Sequence, residues 1–375
     1  MEYIYNELSK LSETTYKPAN YIFNKKPYII VVSHHLKKDG APMALLTFLH
    51  LIKEQYNIFI ISPDDGPIRT DYINEGFCVF IGSVDKYNNN QFKAILNSAS
   101  FYLCNTVVSH LFVILAYKLQ VPTLWWIHEA EVYLTNCIPY LMPDYYSSPN
   151  IKIACSSKVV QPFIQELLNL PCYNLTVPVL DKFIDRDFFH TDNKPVVFFM
   201  PASLEESKGP DILAKAIVSL PEKYLKQSEF YFAGPIAKTQ LQYHEIIMKI
   251  SSVLNNVHYL GILSHEEVIE FNYSADCVIA PSRTDSLPAT IIEGIMCGNI
   301  GIVSDHAGIS TYMENAINGY IFHSENHNEL KDIIIHIIDN IDELIETRIN
   351  GRELYEKTFS PQSVLDKFHT IMTNI

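Results

Sequence analysis

Basic residues, glycine and long apolar runs are all scarce in this sequence. Its 375 residues include 28 lysines and arginines against 42 aspartates and glutamates, which gives a formal net charge of −14. Such a charge disfavours a nucleic acid or an anionic membrane as a partner of the molecule as a whole. No apolar run approaches the roughly 20 residues of a spanning helix, and the opening MEYIYNELSK lacks the apolar core of a signal peptide. We expect a soluble, cytoplasmic protein.

Motifs of several enzyme classes are missing as well. The seven cysteines are odd in number, widely spaced and without a CxxC pair, which favours buried free thiols over disulfides or a zinc site. HExxH and G-x-S-x-G do not occur, and neither do the Walker and G-x-G-x-x-G loops that bind nucleotides. Asp64 and Asp65 lie in PDDGPI, a turn sequence, which disfavours a metal-binding role for them. We expect neither a metal nor a cofactor.

Short apolar runs alternate with amphipathic stretches through the first half of the chain. The runs suit strands that are buried on both faces of a parallel sheet. They lie at residues 28–33, 56–62, 77–81, 101–104, 123–127 and 151–155. Helical periodicity between them, as at 42–53 and 107–119, predicts a doubly wound α/β sheet.

The same alternation begins again after residue 195. Strands are predicted at 196–200, 229–233, 257–260, 277–280 and 300–304. Helices are predicted at 208–220, 240–254, 265–273, 289–297 and 362–372. The polar segment 181–195 is the expected linker. We predict two Rossmann-like domains facing each other across a cleft, at 1–185 and 186–358, and a final helix in 359–375 that packs back toward the first domain.

The most informative segment is APSRTDSLPATIIEGIMCGNIGIVS at residues 280–304. Asp285 lies in the predicted loop, Pro288 in the first helical turn, and Glu293 about one and a half turns into the helix. Free amides at the helix start would favour an anion. They belong to Ser286, Leu287, Ala289 and Thr290. Two carboxylates beside such amides suit a phosphorylated sugar, but the spacing equally fits an ordinary capping loop with a surface glutamate.

This segment, with the following DHAGIS and NGY, resembles the donor-site signature of the retaining GT-B glycosyltransferases of family 4, or glycosyl transferases group 1. The family carries two acidic residues separated by seven others, which Asp285 and Glu293 match, although the first is usually glutamate. The resemblance implies that Asp285 is catalytic and contacts the donor sugar, and that Glu293 holds the nucleotide ribose. It also assigns donor-binding roles to Ser286, Leu287, Pro288 and Ala289.

Two further segments of the second half match the family in the expected order. LEESKGPDILAKA resembles its K-G-x-D-x-L-x-x-A segment, which implies that Lys208 is the catalytic cation on the donor diphosphate. Ser203, also a predicted donor-site residue, stands where many members carry arginine, so one positive charge is missing or comes from elsewhere, with Arg283 as a hypothesis. Leu263 lies in LGILSHEEV, which resembles the stretch that holds the base.

The first half carries two matches at the ends of its predicted strands. SHHLKKDGAPMALL resembles the family's glycine-rich loop under the diphosphate, with Asp39 replacing the first glycine, which implies donor contacts for Gly40 and Ala41. His128, in WWIHE, matches a catalytic family histidine that faces the donor sugar. Weaker candidates at neighbouring strand ends are His34, His35, Asn105 and Thr106.

The resemblance implies a retaining, metal-independent transferase that moves a sugar from a UDP- or GDP-type nucleotide-sugar to an acceptor hydroxyl. The acceptor would be a glycan or a lipid-linked intermediate of cell-surface polysaccharide or lipopolysaccharide synthesis, which leaves transient contact with the inner face of the membrane open. Residues 188–375 carry 13 basic and 25 acidic side chains, a net −12, so an anionic donor must be attracted locally.

Other functions of the same fold stay open on sequence alone. A non-hydrolysing nucleotide-sugar epimerase or a sugar phosphorylase would share the architecture. The aspartate at 285 and the serine at 203 also leave room for a non-catalytic binding subunit, because a fold does not fix an activity.

Overall fold

The computed structural model describes residues 1–22, 24–183 and 194–373. Most of the linker predicted at 181–195 lies outside the described residues. The chain forms two compact units, Met1–Pro178 with Pro361–Ile375, and Val179–Ser360. Each unit is a largely parallel sheet with helices on its faces, which confirms the predicted α/β class with two Rossmann-like domains. In the described part of the chain, no helix combines the length and apolarity needed to cross a membrane.

The sheet of the first unit has eight strands. They are β1 (Thr14–Tyr16), β2 (Tyr28–Val32), β3 (Asn57–Ser62), β4 (Cys78–Ile81), β5 (Tyr102–Asn105), β6 (Thr123–Ile127), β7 (Ile151–Cys155) and β8 (Cys172–Asn174). Their order is β1-β4-β3-β2-β5-β6-β7-β8, and β1 alone runs antiparallel to its neighbour among the described strands. All six predicted strands are present, whereas β1 and β8, of three residues each, are not among the predictions.

Helices cover both faces of this sheet. They are α1 (Glu2–Leu11), α2 (Gly40–Ile52), α3 (Arg69–Asn74), α4 (Val84–Tyr87), α5 (Asn90–Asn97), α6 (His110–Leu119), α7 (Glu131–Cys137) and α8 (Gln161–Leu168). Within β2, Ile30 and Val32 point into one apolar core while Ile29 and Val31 point into another. This two-sided burial explains why β2 is apolar throughout instead of alternating. The helix predicted at 107–119 begins with a 3₁₀ turn before α6.

The second unit has a six-stranded, fully parallel sheet. Its strands are β9 (Val196–Pro201), β10 (Ser228–Ala233), β11 (Val257–Tyr259), β12 (Cys277–Ala280), β13 (Ile300–Ser304) and β14 (Tyr320–Phe322). Its helices are α9 (Pro210–Val218), α10 (Glu222–Leu225), α11 (Leu241–Ser251), α12 (His265–Ser274), α13 (Ala289–Met296), α14 (His327–Asn340) and α15 (Ile345–Thr358). The order is β11-β10-β9-β12-β13-β14, so the direction of strand addition reverses between β9 and β12.

The final helix, α16 (Pro361–Met372), belongs to the first unit. Val364, Phe368 and Ile371 enter one of the two cores of that unit. The Phe368 ring lies 5.1 Å from the ring of Phe48 in α2 and 5.7 Å from that of Phe101, measured between centroids. Burial of these three side chains accounts for the apolar stripe of α16.

Candidate functional site

Lys208 and Asp285 form an ion pair at the strand reversal of the second unit. Lys208 follows β9 and Asp285 follows β12, and these strands are parallel neighbours whose carboxyl ends meet at one sheet edge. The Lys208 Nζ donates to Asp285 Oδ2 over 2.6 Å. Ligands of open α/β sheets bind at this kind of reversal. The two residues predicted to be catalytic in this unit are therefore in direct contact, although 76 other residues separate them in the chain.

Backbone contacts fix the loop that carries Lys208. The amide of Arg283 donates to the Ser207 carbonyl over 2.8 Å, which ties this loop to the one that bears Asp285. Gly209 adopts a φ of +66°, and a Cβ at this position would lie 2.1 Å from the Pro281 carbonyl oxygen. Only glycine fits this close backbone approach. This packing explains why a glycine follows the lysine.

Arg283 directs all five of its N–H donors to protein acceptors. It makes two bonds of 2.9 Å to the carboxylate of Asp211, one of 2.9 Å to the Glu206 carbonyl and two to the Glu325 carboxylate. The hydrogen bonds that the guanidinium donates to Asp211 raise its pKa. Although burial favours the neutral acid, Arg283 and Lys215 hold the pKa of the Asp211 carboxyl below its ordinary value. Arg283 thus braces the Asp285 loop, and this geometry gives no support to the hypothesis that it replaces a phosphate-binding arginine.

The Ser203 side chain forms its hydrogen bond within its own loop. Its hydroxyl donates to Glu205 Oε1 over 2.9 Å, and Ser207 donates to the same oxygen over 3.0 Å. Leu263 is partly buried and packs against the core of Phe199, Ala233 and Ala275. No described contact links either Ser203 or Leu263 to the pair Lys208 and Asp285. Their predicted roles in donor binding stay predictions.

The start of α13 leaves several amides available. Within the described residues, these amides have no protein acceptor. They belong to Ser286, Leu287, Ala289 and Thr290, as the sequence predicts. The prediction for Pro288 needs a correction: α13 begins at Ala289, and Pro288 precedes it with an extended ψ of 104°. Because proline has no N–H, this change of position costs no donor at the helix start.

Glu293 is buried and paired with a residue that the sequence analysis does not single out. It lies on α13, is 8% exposed, and its Oε1 is 2.8 Å from Nε2 of His265, the first residue of α12. The hydrogen bond and the charge of Glu293 raise the pKa of the His265 imidazole. The alternative of an exposed surface glutamate is therefore wrong. The S-x-x-E capping signature predicts the start of α12 at His265, but no sequence pattern predicts its partner 28 residues away.

The first unit has its own polar cluster at the reversal between β2 and β5. His128 Nε2 lies 2.8 Å from Asn105 Oδ1, and Asn105 Nδ2 donates to the Ala41 carbonyl over 3.2 Å. Because the carboxamide oxygen can only accept, His128 carries its proton on Nε2. Burial, with a small effect of His34, lowers the pKa of His128 to about 3. The imidazole is therefore neutral at physiological pH, and its Nδ1 has no acceptor or donor partner among the described residues.

Three neighbours complete this cluster. The Glu129 carboxylate accepts from the amides of Val107 and His128 over 3.1–3.2 Å, and burial raises its pKa. Burial also lowers the pKa of His34 to about 4, and its Nδ1 is buried without a hydrogen-bond partner in the described chain. His35 instead lies 3.2 Å from Asp39. His34 and His128 are therefore neutral imidazoles, which suit hydroxyl groups better than a phosphate.

Gly40 opens α2 on the same sheet edge. It is exposed, and a Cβ built on it would meet no atom within 4 Å. Nothing in the fold of the first unit therefore demands glycine at position 40. Ala41 is fixed through its carbonyl, which accepts from Asn105. Across the described residues, no group of three or more histidines, cysteines and carboxylates is arranged to hold a metal ion.

Comparison with known proteins relates this sequence to glycosyltransferases. Residues 181–354 match the family described as Glycosyl transferases group 1. An uncharacterized glycosyltransferase of Methanocaldococcus jannaschii, MJ1178, is 25% identical over 246 residues, which cover 65% of this chain and 66% of that protein. The Campylobacter jejuni N,N'-diacetylbacillosaminyl-diphospho-undecaprenol alpha-1,3-N-acetylgalactosaminyltransferase is 24% identical over 122 residues, or 32% of each chain.

The fold as a whole is that of solved glycosyltransferase structures. Anabaena Alr3699/HepE, solved in complex with UDP, superposes with a TM-score of 0.74 at 15% identity and covers 93% of this chain and 100% of its own. A glycosyltransferase from Rickettsia africae superposes with a TM-score of 0.71 at 16% identity, covering 93% of this chain and 98% of its own. These likenesses show that the chain has the GT-B fold. The match of residues 181–354 to the family described as Glycosyl transferases group 1 supports the glycosyltransferase superfamily.

Proposed function

We propose that the protein is a retaining glycosyltransferase of family 4 that transfers a sugar from a UDP- or GDP-type nucleotide-sugar to an acceptor hydroxyl. The main support is the ion pair of Lys208 and Asp285 where the strand order reverses between β9 and β12, beside the free amides at the start of α13. The two residues belong to the domain that matches the family. The complexes of HepE with UDP and UDP-glucose support a nucleotide-sugar as donor.

The chemical demand on this site is the departure of a nucleoside diphosphate. Lys208 and the amides of α13 supply positive charge to the developing oxyanion, so no metal is required in this proposal. Asp285 accepts from a hydroxyl of the donor sugar, and Glu293 accepts from the ribose. We assign no protein nucleophile. The acceptor attacks the face that the diphosphate leaves, and the leaving phosphate takes the acceptor proton, so the anomeric configuration is retained.

His128 serves as a neutral hydrogen-bonding group in this proposal. Asn105 holds its Nε2–H, which leaves Nδ1 as an acceptor for a sugar hydroxyl. Since the pKa of His128 is lowered to about 3, the residue stays uncharged from pH 5 upward and does not act as an acid. Its role is to orient the sugar.

The acceptor is proposed to be a glycan or a lipid-linked intermediate of cell-surface polysaccharide synthesis. Apolar side chains that are at least 47% exposed cluster in residues 108–142 of the first unit, near the polar cluster in sequence. They are Val108, Leu111, Val132, Tyr133, Tyr140 and Met142. Exposed apolar side chains that include tyrosines suit the lipid part of such an acceptor and peripheral contact with a membrane. The name of the Campylobacter relative includes a diphospho-undecaprenol acceptor.

The function is tested with the purified full chain and a panel of UDP- and GDP-sugars. We expect one donor to bind with micromolar to millimolar affinity and to be hydrolysed slowly without acceptor, and Glu293→Ala to abolish both. Proton NMR of the released or transferred sugar reports whether the anomeric configuration is retained. No binding of any nucleotide or nucleotide-sugar at millimolar concentration contradicts the proposal. Conversion of the donor to its epimer indicates an epimerase, and binding without turnover indicates a non-catalytic subunit.

Gly40→Ala tests whether glycine at position 40 is needed for the stability of the fold or for binding of the donor. Because a Cβ at residue 40 meets nothing within 4 Å, the free energy of unfolding is expected to stay within about 1 kcal/mol of wild type. A methyl group at the point where the diphosphate is proposed to approach should raise KM for the donor by about tenfold or more. Urea unfolding and donor titrations measure the two effects. Unchanged KM removes Gly40 from the proposed donor site.

A further inference from the structure

We infer that His265 is a positioning residue of the donor site, which holds the carboxylate of Glu293 in one orientation and makes nucleotide affinity depend on the protonation of its imidazole. The inference rests on the proposed function, in which Glu293 binds the ribose. It adds His265, the first residue of α12, to the proposed donor site.

The contact between the two side chains is held by a rigid frame. The start of α12 is fixed by reciprocal capping bonds: the Glu267 amide donates to Ser264 Oγ over 3.2 Å, and the Ser264 amide donates to Glu267 Oε2 over 2.6 Å. Next to Glu293, a Cβ on Gly294 would lie 2.3 Å from Val278 Cγ1, so α13 lies directly on β12. The backbones of α12 and α13 are thus held in place by contacts other than the one between His265 and Glu293.

The hydrogen bond leaves Glu293 with one oxygen to offer. Nε2 of His265 binds Oε1 over 2.8 Å, whereas Oε2 has no protein partner among the described residues. The Glu293 side chain is 11% exposed and the His265 side chain is 57% exposed. A buried carboxylate with one free oxygen is suited to a single directed bond from a ligand hydroxyl. Without the imidazole, the carboxylate can rotate and loses its only described side-chain donor.

Charge gives the contact a second effect. The charged groups near His265 are Glu293 on α13, Lys182 in the segment before β9, and Glu266 on its own helix. Glu293 stabilises the imidazolium and raises its pKa, while Lys182 opposes this rise. A protonated His265 compensates the negative charge that Glu293 presents to an anionic nucleotide. Affinity should therefore be highest below the pKa of His265 and should fall as the pH rises through it.

The test is calorimetric titration with UDP at pH 5.5 to 8.5 on the full-length wild type and three variants. His265→Ala removes the donor, and His265→Gln keeps an N–H donor that does not titrate. His258→Ala is the matched control, because His258 pairs with Glu229 over 2.6 Å in the same unit, near the amino ends of β10 and β11. Each Kd is divided by the wild-type value at the same pH, which cancels the titration of UDP itself.

We expect His265→Ala to bind UDP about tenfold more weakly at pH 6, equivalent to about 1.4 kcal/mol, and about threefold more weakly at pH 8.5. His265→Gln should stay within about threefold of wild type at pH 8.5, because the hydrogen bond is kept, and lose more at pH 6. His258→Ala should match wild type throughout. If His265→Ala does not fold, the His265→Gln pH profile decides.

Two results overturn the inference and a third concerns the proposed function alone. Wild-type affinity in His265→Ala at every pH shows that Glu293 needs no partner. An equal, pH-independent loss in both His265 variants shows a merely structural role. If the wild type itself binds no UDP or other nucleotide, the proposed function fails first, and the inference fails with it.

Discussion

Lys208→Ala is expected to lower kcat/KM for sugar transfer by about 1000-fold. Removing one preorganised group that stabilises a developing oxyanion typically costs 100- to 1000-fold in kcat. Here the substitution also leaves Asp285 without the ammonium group that lies 2.6 Å from it, on a side chain that is 11% exposed. A poorly solvated carboxylate without its partner repels an anionic donor. Steady-state kinetics with a saturating acceptor measure the loss.

Lys215→Ala is the matched control for this prediction. Lys215 pairs with a carboxylate in the same way, at 2.9 Å from Asp211, but its side chain is 55% exposed and it lies on α9. We expect kcat/KM within about twofold of wild type, because exposed ion pairs contribute little. A loss below tenfold in Lys208→Ala contradicts the role of Lys208 on the diphosphate.

A double substitution tests whether Lys208 and Asp285 act as a unit. If they do, Lys208→Ala combined with Asp285→Ala should cost much less than the sum of the two single losses in transition-state free energy. The expectation follows from their direct contact, since each single variant leaves the other charge unpaired. Additive losses would show that the two side chains act independently on the donor.

The pairing of Lys208 with Asp285 illustrates what the sequence can predict. Both residues follow apolar runs that are unambiguous strands, and β/α alternation brings the carboxyl ends of parallel strands to one edge. The strand bounds at 123–127, 151–155, 277–280 and 300–304 are reproduced without change. These strands are predictable because a strand that is buried on both faces of a parallel sheet is apolar at every position.

Other features depend on neighbours that no local pattern encodes. The burial of Glu293 follows from α12 lying beside α13, and the engagement of Arg283 follows from three separate elements meeting around it. Strands of three residues give only a short signal: β11 is predicted, at 257–260, whereas β1, β8 and β14 are not. The sequence predicts Pro288 in the first helical turn because its missing N–H is tolerated both there and one residue earlier.

Gly209→Ala is expected to lower the free energy of unfolding by about 3 kcal/mol or more. A φ of +66° costs an alanine about 1 kcal/mol, and its Cβ would lie 2.1 Å from the Pro281 carbonyl oxygen. The obstacle is backbone, which cannot rotate away as a side chain can, so an overpacking cost of about 2 kcal/mol is added. Urea unfolding followed by far-UV circular dichroism measures the change. The same displacement should move Lys208 and lower transfer activity in the fraction that stays folded.

Gly261→Ala separates the two parts of that cost. Gly261 has a φ of +77° and a Cβ built on it meets nothing within 4 Å, so its substitution carries the backbone strain without the collision. We expect a loss of about 1 kcal/mol for this variant. The difference between the two variants is then the free energy of forcing the loop after β9 away from the loop after β12. If both variants lose the same free energy of unfolding, the Pro281 carbonyl moves aside at no cost. The close approach of Gly209 to Pro281, which places Lys208 beside Asp285, is then not rigid.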